Sequence, residues 1–557
     1  MKECDKLKAN SFIQGAFIAT FCIVISKILG IIYVIPFYAI IGEQGGALYG
    51  YAYSLYNIFL AISTVGLPIA VSKIVSEYNA LGYYHSKERA YKIAIKIITV
   101  MAIISFLILF IGAPLLAEAI IGDVTGGNTK EDITLVLRVS SLAIIFVALL
   151  SGLRGYLQGH RYISQSSISQ VVEQFARVLL IIFGSFIALK IFKLKLSISV
   201  AVAVFGATFG AICAIIYLKF KINKSEQQFK KAEISEDEKN ITDKDIQKKL
   251  LSYALPLVII SIVTSSYEIV DTMTIVKTLV NYANFSTIEA ENIIGIISTW
   301  GSKFNMIVTS ISSGLIVSLI PNITRSNIKN KKKEVANQIN QTIQIILLVA
   351  LPMTIGLSFL STPVWGIFYG YNSLGPIVIR LSIFTAFTAC LSTTMIMIAQ
   401  ALDEYKLVFV SLISGIILKI LLNSPLMILF YHIGIYPYYG AICATLIGSL
   451  TVTTINLIWL NKTRKITYIK TLKQFSKILL CLVFMLLAMN LFTYILPLDI
   501  KNRLASFLIT VTYTILGFFT YLLIAHKTNV IKETFGKNIY EKIPIIQKIY
   551  NKKNSIK

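Results

Sequence analysis

Lys27 interrupts an otherwise apolar run, TFCIVISKILGIIYVIPFYAII, from Thr20 to Ile41. A lone ammonium near the middle of a hydrocarbon-length helix costs roughly 2.5–3.5 kcal/mol on insertion scales. A charge kept at that cost is a counter-charge, either for an internal carboxylate or for an anion that binds. Lys303, in WGSKFNMIVTSISSGLIVSLIP, raises the same question about 17 Å into its own run. Glu173 and Arg177 stand four residues apart on one helix face, which favours a self-satisfied ion pair. Lys419 has no carboxylate four residues to either side and is therefore the more exposed electrostatically. Glu268 and Asp271 share a face at i, i+3 spacing. Two like charges so placed suit a proton or Na+ coupling site, a counter-charge for Lys27 and Lys303, or a bridge to another helix. Tyr49, Tyr51, Tyr53 and Tyr56 could stack on sugar rings, although near a helix end an interfacial aromatic belt is the plainer reading.

These groups sit in a chain of 557 residues that is 56% hydrophobic and only 14% charged, with mean hydropathy +0.74. Soluble domains carry about 25% charged residues, so the composition is that of a polytopic membrane protein. The net charge of +25 could suggest nucleic acid, but Lys and Arg collect in alternate gaps between apolar runs, a topology signal and not a binding stripe. The six cysteines show no CxxC or metal-ligand spacing, and neither a disulfide nor a metal site is expected. His85, His160, His432 and His526 lie at run ends, and no Walker or HExxH pattern occurs, which argues against an enzyme. The basic N-terminus precedes a run of about 30 residues with no cleavage pattern, so the first helix is read as retained.

A span needs about 20 apolar residues. By that rule fourteen spans are expected, near 11–41, 47–71, 93–121, 133–157, 164–190, 197–219, 250–280, 292–320, 341–369, 376–401, 407–432, 439–460, 477–497 and 504–526. The gaps on the N-terminal side hold 39 of the 52 Lys and Arg residues, and the opposite gaps hold six. Positive charge marks the cytoplasmic side, so both termini are expected there. The charge-dense segment from Lys219 to Lys249 divides the first twelve spans six and six and reads as a solvated linker.

The two halves look related. Gln158 and Arg177 are nineteen apart, as are Gln400 and Lys419, in YLQGHRYISQSSISQVVEQFARVLL and IAQALDEYKLVFVSLISGIILKILL. STVGLPIAVSKIVSEY and SSGLIVSLIPNITRS both end a span with Gly-Leu, a proline and a polar stretch. A six-plus-six duplication in parallel orientation accounts for both matches.

On SKILGIIYVIPFYAIIG, GLPIAVSKIVSEYNALG and RGYLQGHRYISQSS, the chain resembles the multidrug/oligosaccharidyl-lipid/polysaccharide exporter superfamily. Within it, the resemblance is to the lipid II flippases and stage V sporulation protein B-like proteins of Gram-positive bacteria. It implies an all-α, V-shaped transporter of about fourteen transmembrane helices. Its domains would be two six-helix lobes (1–219 and 250–466), the linker 220–249, two added helices forming a lipid-tail groove (467–526) and a basic tail (527–557). The implied activity is alternating-access transfer of an undecaprenyl-diphosphate-linked saccharide, lipid II above all, to the outer leaflet of the plasma membrane. Cell-wall synthesis enzymes are the implied partners, and no cofactor is implied beyond Na+ or H+ as a coupling ion. Lys27 matches the arginine of the family's SR-x-LG pattern and Lys303 a cavity arginine of its eighth helix; with Arg177 and Lys419 they are the candidate diphosphate cations. Glu268, Asp271 and Glu173 are the candidate coupling or counter-charge carboxylates. The further arginines of that family's first two helices are absent here, where GIIYVIP and YAYSLYNIFLAIS stand, so the cavity should be less cationic.

Two other functions fit these residues less well. A cation-coupled multidrug antiporter of the same superfamily wants a cavity carboxylate, and the first span has none before Glu43. A polyprenyl-dependent glycosyltransferase or ligase wants a sizeable catalytic loop, and the gaps opposite the termini are short.

Overall fold

The computed structural model describes residues 12–535, apart from 65, 123, 161, 224–240 and 499–501. The protein is all-α, with no strand among the described residues. Helix α1 (Phe12–Ile32) is divided from α2 (Val34–Thr64) at Tyr33. Pro36, just beyond, has no N–H to offer the Ile32 carbonyl, and its ring crowds that turn. Helix α2 kinks at Gly42, whose φ of +66° suits a residue without a Cβ. Then come α3 (Gly66–Leu81), α4 (Tyr84–Ile121), α5 (Lys130–Gly159) and α6 (Ile163–Leu179), which continues through π-helical turns to Ile191. They are followed by α7 (Leu196–Asn223), α8 (Asp243–Ala283) and α9 (Thr287–Gly295). A π-helical turn at Ile296–Trp300 leads into α10 (Ser302–Ile328). The remainder comprises α11 (Lys332–Phe359), α12 (Ser361–Tyr369), α13 (Leu374–Ala401), α14 (Tyr405–His432), α15 (Tyr438–Arg464), α16 (Ile469–Phe492), α17 (Arg503–Lys527) and α18 (Val530–Phe535). Reciprocal capping boxes start α5, α8 and α9, at Thr129 with Asp132, Thr242 with Asp245 and Ser286 with Glu289.

Twelve of the described helices are long and apolar enough to cross a membrane. The first expected span is divided at Tyr33 between α1 and α2, and the eighth runs through α9, the π turn and α10. Most of the linker 220–249 and of the basic tail 527–557 lies outside the described residues.

The chain forms two compact units. One takes the described residues up to Trp300 together with Ile420–Ala441; the other takes Gly301–Lys419 and the described residues from Ile442 onward. In the first unit α5 packs on α4 and α7, α6 lies between α1 and α7, and α8 runs along α2, α3 and α4. Close approach of α7 to α6 depends on Gly206 and Gly210, one turn apart. A Cβ built on Gly210 would lie 2.6 Å from the Glu173 carbonyl oxygen, and one on Gly206 3.1 Å from that of Arg177. The second unit packs α10 and α11 on α13, with α16 and α17 paired beside α11 and α12.

Candidate functional site

The small residues of α7 hold α6 at a fixed depth and so position its charged face. Glu173 does not pair with Arg177, as its i, i+4 spacing predicted. Its Oε2 lies 2.8 Å from Nη1 of Arg154 on α5, whose Nε donates to Ser169 Oγ at 2.8 Å. One guanidinium thus spans two successive turns of α6, with the ion-paired side chains only 15% and 17% exposed. From sequence, Arg154 passed for a topology charge at a helix end.

Arg177 lies over the Tyr53 ring, with Cζ 5.1 Å from its centre. Tyr53 stacks on Tyr49 at 4.6 Å between centroids and meets Tyr56 edge-on at 5.6 Å. Phe37 closes on Tyr49 from the other side. Tyr49, Tyr51 and Tyr56 are buried, so this tyrosine ladder is interior to the unit and is not an interfacial belt. Lys27, on the helix that packs along α6, is half-buried and makes no ion pair among the described residues.

The carboxylates of α8 diverge. Asp271 Oδ1 accepts from Asn423 Nδ2 at 3.2 Å, and the same amide nitrogen lies 2.6 Å from Thr274 Oγ1. Glu268 is exposed and lines a recess of about 330 Å3 together with Asn57, Thr64, Ser261, Thr264 and Ser265. Among the described residues no cluster of three or more His, Cys, Asp or Glu could hold a metal.

In the second unit Lys303 is half-buried in the first turn of α10. Lys419 has no accessible surface and donates to Thr445 Oγ1 of α15 at 2.6 Å. Thr445 lies on a different helix, so a search for nearby carboxylates along the same helix could not reveal this contact. A cavity of about 490 Å3 lies among α11, α16 and α17, walled by Pro352, Gly356, Met485, Met489 and Phe518. Tyr513 and Tyr521 also line it, and their hydroxyls donate to the Leu496 and Leu348 carbonyls at 2.6 and 2.9 Å. The cavity therefore meets their rings and is apolar apart from Thr510 and Thr514.

Sequence reasoning also missed Glu291. Its carboxylate is 1% exposed and accepts from Asn128 N (3.0 Å to each oxygen), Asn128 Nδ2 (3.0 Å) and Gln44 Nε2 (3.5 Å). It ties α9 to the α4–α5 loop and to the turn after the Gly42 kink. Only the adjoining Gly126-Gly127-Asn128 offered a signal, since a Cβ on Gly127 would lie 2.6 Å from that carboxylate.

A family model described as polysaccharide biosynthesis protein matches residues 12–287. The chain is 30% identical over 548 residues to the lipid II flippase MurJ of Bacillus subtilis (strain 168), covering 95% of this chain and 98% of that protein. Among solved structures, the inward closed conformation of a lipid II flippase MurJ superposes with TM-score 0.66 at 16% identity, over 92% of this chain and 99% of that one. An inward-facing multidrug resistance transporter of the MATE family superposes with TM-score 0.59 at 11% identity, over 80% of this chain and 98% of that one.

Proposed function

The chain belongs to the polysaccharide biosynthesis protein family, alongside the lipid II flippase MurJ, and we propose that it flips an undecaprenyl-diphosphate-linked saccharide, lipid II in the first instance, by alternating access. It is a multi-pass membrane transporter and not an enzyme. The observation that carries this reading is the match to MurJ from end to end, 30% identical over 95% of the chain.

The geometry of each unit supports it. In the first, Lys27 and Arg177 sit at span depth, and the carboxylate that could have neutralised Arg177 is taken by Arg154. At about 4 Å and an effective dielectric near 20, one charge pair contributes roughly 4 kcal/mol, comparable to the insertion cost of one lysine. The diphosphate is the anion these cations await. In the second unit the apolar cavity of α11, α16 and α17 suits a polyprenyl tail, and Lys303 is assigned to diphosphate recognition by its place in the family pattern. Lys419, enclosed against Thr445, is assigned to holding α14 on α15. Asp271 with Asn423 and Thr274 is the assigned seat of a coupling Na+ or H+. Both termini are assigned to the cytoplasm and the protein to the plasma membrane, from the one-sided placement of Lys and Arg. Its functional partners are then the enzymes that build the lipid-linked saccharide on one face and polymerise it on the other.

Depletion of the protein followed by accessibility labelling of lipid-linked precursors tests the proposal. Precursor should accumulate on the inner leaflet. An unchanged leaflet distribution with altered efflux of cationic dyes would assign the chain to the drug-exporting relatives instead.

A further inference from the structure

In the second unit α11, α13, α15 and α16 wall a further cavity of about 240 Å3. It shares no lining residue with the cavity among α11, α16 and α17, because Ile343, Ile346 and Leu347 of α11 line it instead. Leu472, on its wall, is 66% exposed, which puts the cavity at the surface of the unit. The lining is apolar but for three threonines and Tyr468. Thr453 donates to the Ser449 carbonyl and Thr471 to Asn340 Oδ1. Thr394, only 1% exposed, and Tyr468 have buried hydroxyls that make no hydrogen bond among the described residues. A buried hydroxyl without an acceptor is costly, so a ligand that fits this cavity brings one.

Tyr468 immediately precedes α16, in the short link from α15. The link and its flanks are strongly basic, and no Asp or Glu stands between Asn461 and Lys477. Arg464 is paired with Glu404 and Lys477 with Glu533. Lys462, Lys465, Lys470 and Lys473 are exposed and make no ion pair among the described residues. Lysines set topology wherever they fall on the cytoplasmic side, but Lys470 and Lys473 stand in the first two turns of α16. There the helix dipole disfavours a cation and favours an anion. An anion at this link would gain from the lysines and from the first amides of α16 together. The ligand is thus an anionic head on a hydrocarbon chain, with an acceptor between the two. An anionic glycerophospholipid has that order of phosphate, ester carbonyl and acyl chain. A polyprenyl diphosphate has no carbonyl between its phosphates and its hydrocarbon, and would leave both hydroxyls unsatisfied.

We propose that this cavity and the basic link beside it form a site for an anionic glycerophospholipid of the bilayer. One acyl chain fills the cavity, its ester carbonyl meets Tyr468 and Thr394, and its phosphate lies at Lys470 and Lys473. The site is separate from the cavity assigned to the polyprenyl tail and does not depend on the flippase reading. The test titrates the purified full-length chain with three lipids of equal chain length and reads the first bound lipid by native mass spectrometry. They are diacyl phosphatidylglycerol, diacyl phosphatidylcholine and the dialkyl ether form of phosphatidylglycerol. The unaltered chain should prefer diacyl phosphatidylglycerol to both others. Lys470→Gln/Lys473→Gln, at exposed positions, should weaken phosphatidylglycerol binding about tenfold and leave phosphatidylcholine unchanged. Tyr468→Phe/Thr394→Val keeps both side-chain shapes and removes two hydrogen bonds. It should weaken the diacyl lipid about tenfold and abolish its advantage over the ether lipid. Equal binding of phosphatidylglycerol and phosphatidylcholine, or of ester and ether lipids, by the unaltered chain would overturn the proposal. So would either pair of substitutions leaving its own comparison unmoved. Displacement of the bound phospholipid by undecaprenyl diphosphate would make the cavity part of the polyprenyl path and overturn it too.

Discussion

Arg154 and Glu173 hold each other at 2.8 Å between α5 and α6, while Arg177, one turn past Glu173, rests over the Tyr53 ring. Two arginines and one carboxylate are thereby sorted into a closed pair and a cation set against a π face. The Gly206 and Gly210 contacts set how closely α6, which carries Glu173 and Arg177, approaches α7.

Removing one partner of an enclosed pair strands the other charge. Arg154→Ala should therefore destabilise the protein by about 2 kcal/mol, between the ranges for surface and buried pairs. Lys130→Ala breaks an exposed pair with Glu118, whose side chains are 45% and 60% accessible, and should cost far less. Thermal unfolding of both variants in the same detergent provides the check. A drop for Arg154→Ala no larger than that for Lys130→Ala would mean that the α5–α6 pair contributes little.

Lys27 was legible because a charge within an apolar run stands out, and the spans were legible because their length is set by the bilayer. Other features were not. The partner of Glu173 was misread because an i, i+4 rule describes an isolated helix, whereas α5 offers a second guanidinium. The Thr445 partner of Lys419 was hidden for the same reason, since it lies on another helix. Ser261, Thr264 and Ser265 are unremarkable in a span, and only the recess they share with Asn57 and Thr64 makes them one surface. Apolar content alone does not register the break at Tyr33, just before Pro36, or the π turn before α10.

Flipping should depend on the charge of Lys27 and not on its shape. Lys27→Arg should retain transport, because a guanidinium offers the same positive charge with more donors. Lys27→Ala should lose at least about tenfold, the effect of forfeiting even a third of a 4 kcal/mol attraction. Transport into proteoliposomes, with both variants reconstituted at equal density, measures this. Equal rates for the two would remove Lys27 from the mechanism.

Filling the apolar cavity should discriminate between lipids by tail length. A Cβ on Gly356 meets nothing within 4 Å, so Gly356→Leu starts its side chain in open space at the wall of the cavity bounded by α11, α16 and α17. Replacing a mid-helix glycine should also add up to about 1 kcal/mol of helix stability. Binding of a C55 diphosphate should weaken severalfold, and binding of a C15 analogue should stay unchanged. Unaltered C55 binding by a protein of raised thermal stability would show that the tail lies elsewhere.

Acid should destabilise the turn between α5 and α6. His160 lies in the short turn between α5 and α6, with Nδ1 2.9 Å from the Tyr156 carbonyl. Burial pushes its pKa from 6.5 down to about 4, against the pull of the Tyr156 carbonyl and with a small further push from Lys87. Its imidazole is thus neutral in the folded chain where an unfolded chain would already bind a proton. Folding then excludes a proton between pH 6.5 and about 4, so stability is full above pH 6.5 and falls as the pH drops through that window. His160→Asn, which removes the titrating group, should flatten this part of the Tm-against-pH curve while lowering Tm at pH 7.5 by the loss of packing on Tyr156, whose ring lies 4.3 Å away. If both proteins lose Tm with the same slope between pH 6.5 and 4, the acid sensitivity belongs to other groups and the His160 turn is not its source.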